Sequence, residues 1–151
     1  MISLKRDNSK NIDFIKLIVD LDLELNDRYG QDQEIYDQYN IIDYIDTVVV
    51  AYDNETAAGC GCFKKYDDQT IEVKRMFVKK EFRGRGISKL VLRELETWGT
   101  QLGYSSAILE TGDYQHEAIG LYEKSGYSRI PNFAQYADMP HSICMQKYID
   151  N

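Results

Sequence analysis

The spacing of apolar residues along the chain alternates between the period of a helix and the period of a strand. Residues 2–6 predict a short first strand. The next apolar positions recur at i, i+3, i+4, i+7 and i+11, one face of a helix, and they are Phe14, Leu17, Ile18, Leu21 and Leu25. Ser9 and Asn11 are candidate caps for this helix, and Gly30 is a stop signal. The polar, tyrosine-bearing stretch 31–46 predicts a short helix and a loop.

Further along, strands predominate first, and strand and helix then alternate. The predicted strands cover about 47–53, 58–66, 70–79 and 107–109, with two more in the tail over 127–149. Helices are predicted after residue 86 and over about 115–125, the second ended by Gly126. Strict alternation in the third of these strands would put Ile71, Val73, Arg75 and Phe77 on one face and Glu72, Lys74, Met76 and Val78 on the other. This order predicts a mixed α/β sheet covered by helices, in one domain over residues 1–151.

Composition narrows the class of protein. A hydrophobic content of 43% and a charged content of 28% are ordinary for a soluble domain with a real core. No apolar run is long enough for a signal peptide or a membrane span, so a cytoplasmic protein is expected. Three cysteines and two histidines lack the spacing of metal ligands, so we expect no metal and reduced, buried thiols.

Charge is unevenly distributed along the chain. The net charge of −7 argues against nucleic acid or an anionic membrane as the main partner. Yet residues 74–93 carry eight of the eighteen basic side chains. A local basic patch on an acidic protein suits a polyanionic small molecule, and a solvated basic face is the alternative.

The stretch 76–88 carries the most specific chemistry. A half-apolar strand leads into Arg83-Gly84-Arg85-Gly86-Ile87-Ser88, and an amphipathic helix begins at once. Glycine permits close backbone approach, the helix start offers unpaired N–H groups, and arginine binds phosphate oxygens, so the element predicts a pyrophosphate cradle. The string is neither a P-loop nor a dinucleotide fingerprint, because the required Lys-Ser/Thr pair and the third glycine are missing. The alternative is that this element is only a basic surface turn.

Two motifs in order resemble the GNAT superfamily of N-acetyltransferases. Arg83-x-x-Gly86-x-Ser88 resembles its acetyl-CoA segment [RQ]-x-x-G-x-[GA], with serine in place of the last glycine or alanine. The stretch 118–127, Ala-Ile-Gly-Leu-Tyr-Glu-Lys-Ser-Gly-Tyr, resembles the segment A-x-x-L-Y-[EQ]-K-x-G-[FY] of the same superfamily. Gln115 stands where that segment usually has asparagine, and residues 72–78 match the central strand. The resemblance spans roughly residues 47–148.

The resemblance implies a GNAT-like fold, a mostly antiparallel central sheet with a splay and flanking helices, and acetyl-CoA as cosubstrate. It implies a cofactor site formed by Met76, Phe77, Val78, Arg83, Gly84, Arg85, Gly86, Ile87, Ser88, Gln115 and Tyr122. Tyr122 would protonate the leaving thiolate and Glu72 would be the general base for an ammonium substrate. Packing of Tyr122, and pairing of Glu72 with Lys74 or Arg75, are the structural alternatives.

The acceptor is expected to be a small-molecule amine or an amino acid. One candidate contact is Arg75, which could bind a carboxylate of the acceptor or simply neutralise a glutamate. The other candidate contacts are Glu110, Tyr29 and Tyr136, and Tyr36 and Tyr39 are further tyrosines that could line the acceptor pocket. A protein lysine or N-terminus as acceptor, and an acyl-CoA-binding module without catalysis, remain alternatives. Edge strands in the tail could pair two copies, so a homodimer also stays open.

Overall fold

The computed structural model describes residues 1–29 and 44–150, and side chains from 1 to 25 and from 44 to 150. Seven strands and three α-helices follow one another along the described chain. The strands are β1 (Ile2–Asp7), β2 (Thr47–Asp53), β3 (Thr56–Lys65), β4 (Thr70–Val78), β5 (Ser106–Gly112), β6 (Ser128–Ile130) and β7 (Ser142–Tyr148). The helices are α1 (Ile12–Tyr29), α2 (Ile87–Gln101) and α3 (His116–Lys124). The predicted elements are therefore confirmed, with small shifts of their ends, except within 30–43, where the expected short helix lies outside the described residues.

One mixed sheet holds all seven strands in the order β1-β2-β3-β4-β5-β7-β6. Every neighbouring pair is antiparallel except β4 and β5, which are parallel. The crossover between those two strands is α2, as a parallel connection requires. This arrangement confirms the mostly antiparallel sheet expected from the sequence.

Two apolar cores cover the two faces of the sheet. On one face α1 packs Phe14, Leu17 and Leu21 against Val48, Val50, Cys60, Cys62 and Phe77. On the other, α2 and α3 pack against a larger cluster that includes Val49, Ile71, Val73, Val91, Leu92, Leu95 and Tyr122. Asn11 caps α1, because its Oδ1 accepts the Phe14 N–H at 2.9 Å, whereas Ser9 accepts the N–H of Ile45.

A β-bulge in β4 overturns the strict alternation predicted for that strand. Cys60 pairs with Phe77 but Cys62 pairs with Lys74, so Gly61 faces two residues of β4. Arg75 absorbs the extra residue with φ 58°, a left-handed conformation unusual for a residue other than glycine. Beyond the bulge the faces exchange, so Phe77 joins the α1 core while Val78 joins the core that holds Val73.

The described part of the chain adds three observations on chemistry and environment. Cys60, Cys62 and Cys144 are buried free thiols, as the sequence predicted. No described helix is long and apolar enough to cross a membrane. Within residues 1–29 and 44–150, no group of three or more His, Cys, Asp or Glu side chains is arranged to hold a metal ion.

Candidate active site

The site begins where β4 and β5 stop pairing. Their parallel register ends at Val73 and Leu109, although β4 continues to Val78 and β5 to Gly112. Two strands that no longer share hydrogen bonds leave a gap in the sheet, and residues of both strands line it. This gap is the splay expected in the sheet, and it puts unpaired strand edges within reach of a ligand.

Two adjoining cavities occupy the gap. A small cavity of about 100 Å³ lies between the strand ends, lined by Glu72, Lys74, Arg75, Glu110, Thr111 and Tyr136 among others. A groove of about 440 Å³ continues from it toward the start of α2, lined by Phe77, Val78, Arg83, Gly84, Gly86, Ile87 and Ser88 among others. Both cavities are lined by Leu21, Leu25, Met76, Gln115, Ala118 and Tyr122. The shared lining shows that the two cavities adjoin.

The glycine turn, residues 83–88, forms the far end of the groove. Gly84 and Gly86 have φ of 80° and 76°, a region that only glycine adopts freely, and a Cβ on either would meet no atom within 4 Å. Gly86 is the N-cap of α2 and supplies no side chain to the first N–H groups of the helix. Open space in front of these N–H groups fits an anion such as a pyrophosphate.

The two arginines of the turn are held by carboxylates. Arg83 Nη2 lies 2.6 Å from Glu24 Oε2 of α1, and its Nε donates to the Val78 carbonyl at 2.9 Å. Arg85 Nη1 donates to Asp53 Oδ2 at 3.0 Å, and this hydrogen bond lowers the pKa of Asp53. Arg83 lines the groove and Arg85 does not. The structure therefore brings Arg83 to the predicted cradle and directs Arg85 toward β2.

A buried carboxylate and a partly buried one face the small cavity. Glu72 on β4 has only 3% of its surface exposed. On β5, Glu110 accepts a 2.7 Å hydrogen bond from Ser142 Oγ. Burial raises the pKa of Glu110 to about 7, although the Ser142 hydrogen bond and the charge of Lys74 act to lower it. At neutral pH this carboxyl can both hold and release a proton, as a general base must.

Two cations line the same cavity. The Arg75 Nη1 lies 2.5 Å from Asp22 Oδ1 of α1, which ties the bulge of β4 to that helix. Lys74 Nζ lies 3.9 Å from Glu72 Oε2, and burial lowers the pKa of Lys74. Sequence reasoning had treated Lys74 only as a partner for Glu72. Its signal was a lysine in the interior of a predicted strand.

Two tyrosines close the cavity. Tyr122, on α3, is 6% exposed, and burial together with the Glu110 charge raises its pKa above the ordinary value. Tyr136 is 1% exposed, and Asn132 Nδ2 donates to its carbonyl at 3.2 Å, which fixes the loop before β7. The side chain of Tyr29, and all of Tyr36 and Tyr39, lie outside the described residues. Sequence reasoning missed Ser142, Asp22 and Glu24, because nothing local marks a residue that contacts a site from a distant element.

A seven-stranded sheet that splays beside a glycine turn defines a class of acyltransferases, and comparison with known proteins agrees. The family model described as "Acetyltransferase (GNAT) family" matches residues 15–127. An IAA acetyltransferase of Azospirillum brasilense is 31% identical over 148 residues, covering 97% of each chain. A solved structure from Klebsiella pneumoniae, assigned as an acyl-CoA N-acyltransferase, superposes with a TM-score of 0.82 at 26% identity and covers 99% of each chain.

The chain therefore belongs to the GNAT family of acetyltransferases. The expectations of a GNAT fold and of an acetyl-CoA-dependent acyltransferase are confirmed. A GNAT-family acetyltransferase from Elizabethkingia anophelis has the same fold with acetyl-CoA bound, at a TM-score of 0.70 and 18% identity over 97% of each chain.

Proposed function

We propose that the chain transfers the acetyl group of acetyl-CoA directly to the primary amine of a small molecule or amino acid. Acetyl-CoA would occupy the groove and the acceptor the small cavity. The observation that carries this proposal is that the two cavities share lining residues, Tyr122 and Met76 among them, because a direct transfer requires both substrates side by side.

The groove offers fitting partners along its length. At one end, Arg83 and the glycine turn suit the pyrophosphate. At the other, Met76, Phe77 and Val78 lie on the part of β4 that has lost its β5 partner, so their backbone edge suits an extended amide-bearing chain. Gln115, the residue before α3, lines both cavities and is proposed to contact the same chain. Arg85 would have to break its hydrogen bond with Asp53 before it could bind the pyrophosphate.

In the reaction, the amine nitrogen forms a bond to the acetyl carbon while the carbon–sulfur bond breaks and the sulfur leaves as a thiolate. The amine loses one proton, and the thiolate can accept one. We assign Glu110 as the base that accepts the amine proton, because a carboxyl with a pKa of about 7 is better matched to neutral pH than a carboxyl with the ordinary pKa. Glu72, predicted from the sequence as the base, lines the same cavity and remains the competing assignment.

Tyr122 is proposed to protonate the thiolate. Its raised pKa keeps the phenol protonated in the working range, so the proton is available. The same shift makes full transfer of the proton to the thiolate unfavourable in energy, because the thiol that would form has a pKa of only about 8.5. A hydrogen bond from the phenol to the developing thiolate therefore supplies part of the effect, as donors aimed at developing charge do.

The test is an acetylation assay with acetyl-CoA over a panel of amines, amino acids and peptides, read as release of CoA thiol and as mass of the product. Acetylated small molecules with little peptide product would support the proposal. Efficient acetylation of peptides alone would replace the small acceptor with a protein one. Acetyl-CoA binding without any acetyl transfer would leave only an acyl-CoA-binding module.

A further inference from the structure

Glu110, the proposed base, is held by a side chain from the neighbouring strand β7. Ser142 Oγ donates to Glu110 Oε2 at 2.7 Å, a length typical of a hydroxyl bound to a charged carboxylate. Ser142 is only 6% exposed, so this hydrogen bond is largely shielded from water. A hydrogen bond to the charged form of a group favours that form, and it is stronger where water is excluded. Ser142 can therefore influence both where the carboxylate lies and how readily it ionises.

The pairing of β5 with β7 explains how the two side chains meet. Gly112 of β5 lies opposite Ser142, and Glu110 lies two residues before Gly112. Residues two apart on a strand point to the same face, so Ser142 and Glu110 are diagonal neighbours on one face of the sheet. Gly112 has no side chain that could compete for the hydroxyl. The contact is therefore a product of strand register and not of sequence proximity.

Asn132 ties down the segment that leads to Ser142. Its Nδ2 lies 3.2 Å from the carbonyl oxygens of Tyr136 and Ser142 and 3.4 Å from that of Met139. An amide nitrogen carries two hydrogens, so the three carbonyls share them. One side chain thereby joins the start of β7 to the loop that carries Tyr136, and Tyr136 lines the small cavity.

The same loop contains a residue in an unfavourable backbone conformation. Ala134 has φ 48°, in the left-handed region that favours glycine. Phe133 packs edge-on against Tyr136, with ring centroids 5.5 Å apart, and against Tyr66 of the β3–β4 turn at 5.4 Å. Such a conformation persists where the surrounding contacts hold it, and these positions cluster at functional sites. The loop therefore has the features of a segment that holds neighbouring side chains in place.

Several ionisable groups face Glu110 besides the Ser142 hydroxyl. Burial is the main cause that raises the pKa of Glu110, and the Glu72 charge raises it further. The Ser142 hydrogen bond is the largest cause that lowers this pKa, ahead of the charge of Lys74. The remaining groups have pKa values raised mainly by burial and stay neutral at ordinary pH; they are Tyr122 of α3, Tyr136 of the loop and Cys144 of β7. Ser142 is thus the contact that most favours the proton-accepting form of Glu110.

We infer that Ser142 is the positioning residue of the base: its hydroxyl holds the Glu110 carboxylate at the small cavity, and Asn132 holds Ser142 in place. This inference rests on the proposed function, because it takes Glu110 as the base. Ser142 and Asn132 line neither cavity, so both act through Glu110 and not on the substrates.

The first experiment measures the pH dependence of kcat/KM, which rises as the base ionises. Loss of a hydrogen bond to the carboxylate disfavours ionisation, so in Ser142→Ala this rise should move up by about one pH unit. Ser142→Thr keeps a hydroxyl and should return the rise to near the wild-type pH. Ser106→Ala is the matched control, because Ser106 is also buried and accepts a 2.8 Å hydrogen bond from Gln146, yet lines neither cavity. Its pH profile should match that of the wild type, and an unmoved profile in Ser142→Ala would overturn the inference.

The second experiment needs no acceptor. NMR of protein with isotope-labelled glutamate carboxyl groups follows the titration of Glu110 directly, and the resonance missing in Glu110→Gln identifies it. The midpoint should move up in Ser142→Ala and, by less, in Asn132→Ala, which tests the same hydrogen bond without altering either partner. Asn11→Ala removes an asparagine contact with the backbone at the start of α1 and should leave the midpoint unchanged.

The two experiments together separate the inference from the proposed function. An unmoved Glu110 midpoint in both Ser142→Ala and Asn132→Ala would overturn the inference. A moved midpoint with an unmoved pH profile of kcat/KM would also overturn it, because the base would be another group, while the acetyltransferase would stand. Failure of the wild type to acetylate any acceptor would overturn the proposed function itself.

Discussion

Glu110 is the carboxyl of the small cavity whose pKa is raised. It lies at the end of β5, accepts a hydrogen bond from Ser142, and lines the cavity with two buried cations. Desolvation outweighs these favourable contacts and raises its pKa to about 7. Because a raised pKa is also a statement about stability, it can be tested without a substrate.

Glu110→Gln should change how stability depends on pH. Below pH 4.5 the carboxyl is protonated in both the folded and the unfolded chain, so it imposes no cost. Between pH 4.5 and about 7 the unfolded chain releases the proton while the folded chain keeps it, and the wild type loses free energy of unfolding. The full loss, complete above pH 7, is up to about 3 kcal/mol. Glutamine does not titrate, so the free energy of unfolding of the variant should rise relative to that of the wild type over this pH range.

Denaturant titrations at pH 4.5, 6 and 8 measure this difference. Glu55→Gln, in the exposed turn between β2 and β3, is the control and should run parallel to the wild type. A Glu110→Gln curve parallel to the wild type would show that the carboxyl is ionised at ordinary pH.

The same substitution should also reduce turnover. If Glu110 takes the amine proton, kcat/KM of the wild type rises with pH through about 7, since the base must be ionised. In Glu110→Gln this rise of kcat/KM with pH should be absent, and kcat should fall by about 10²–10⁴-fold. Glu72→Gln is the comparison. A larger loss of kcat in Glu72→Gln, together with an unchanged pH dependence of kcat/KM in Glu110→Gln, would assign the base to Glu72.

Tyr122→Phe tests the proton donor. The ring and its packing stay, and only the hydroxyl is removed, so the expected loss falls on kcat, by about 10²-fold, with acetyl-CoA binding little changed. Tyr127→Phe is a matched control, because Tyr127 is also buried and its ring packs against Tyr122, but its hydroxyl donates to Glu96 at 2.9 Å and it lines neither cavity. It should lower stability and leave kcat near the wild-type value. Equal kcat values in the two variants would argue that Tyr122 serves only for packing.

Among the elements, the glycine turn and the bulge of β4 do the most to shape the site. The turn begins α2 from a left-handed residue and gives the first turn of the helix no side-chain cap. The bulge exchanges the faces of β4 between Lys74 and Phe77. Both are local departures from regular geometry, and both border the gap between β4 and β5.

Gly86→Ala should separate the binding role of the turn from its backbone strain. Gly86 and Gly103 both have positive φ, 76° and 98°, and a Cβ on either would meet nothing within 4 Å. Alanine at either position should therefore cost about 1–2 kcal/mol of stability. Of the two glycines only Gly86 lines the groove, so only that variant should raise the KM for acetyl-CoA. Calorimetry and thermal unfolding of the two variants measure both effects, and equal acetyl-CoA affinities would remove the turn from the binding site.

For the whole molecule, α1 links the two cavities. Its Leu21 and Leu25 line both of them, Asp22 holds Arg75, and Glu24 holds Arg83. A ligand filling the groove would therefore contact elements from both faces of the sheet. Binding of this kind stabilises the complete fold, not just a single element.

Acetyl-CoA should raise the melting temperature of the protein. At a hundred times its dissociation constant, a ligand that binds only the folded chain adds about 2.7 kcal/mol, or roughly 5–10 °C for a chain of this size. The shift should shrink with added salt, because phosphates meet Arg83 and the start of α2. S-acetylpantetheine lacks the pyrophosphate and should give a smaller shift with little salt dependence. No shift with millimolar acetyl-CoA would contradict the assigned groove.

Sequence alone determined the described element order, the sheet covered by helices and the family. These follow from local signals: apolar periodicity places Phe14 and Leu17 on one face of α1, and the strand, glycine turn and helix start at residues 83–88 are contiguous in the chain. A local signal survives in the sequence because the residues that act together are neighbours along it.

Only the tertiary structure decided the chemistry of the small cavity. The alternation rule put Arg75 and Phe77 on one face of β4, and it failed because the bulge depends on pairing with Gly61 of another strand. The direction of Arg85 toward Asp53, and the environment that raises the pKa of Glu110, likewise join residues far apart in sequence. Charge and desolvation act through space, so the sequence could name the carboxyls and cations but not say which of them meet.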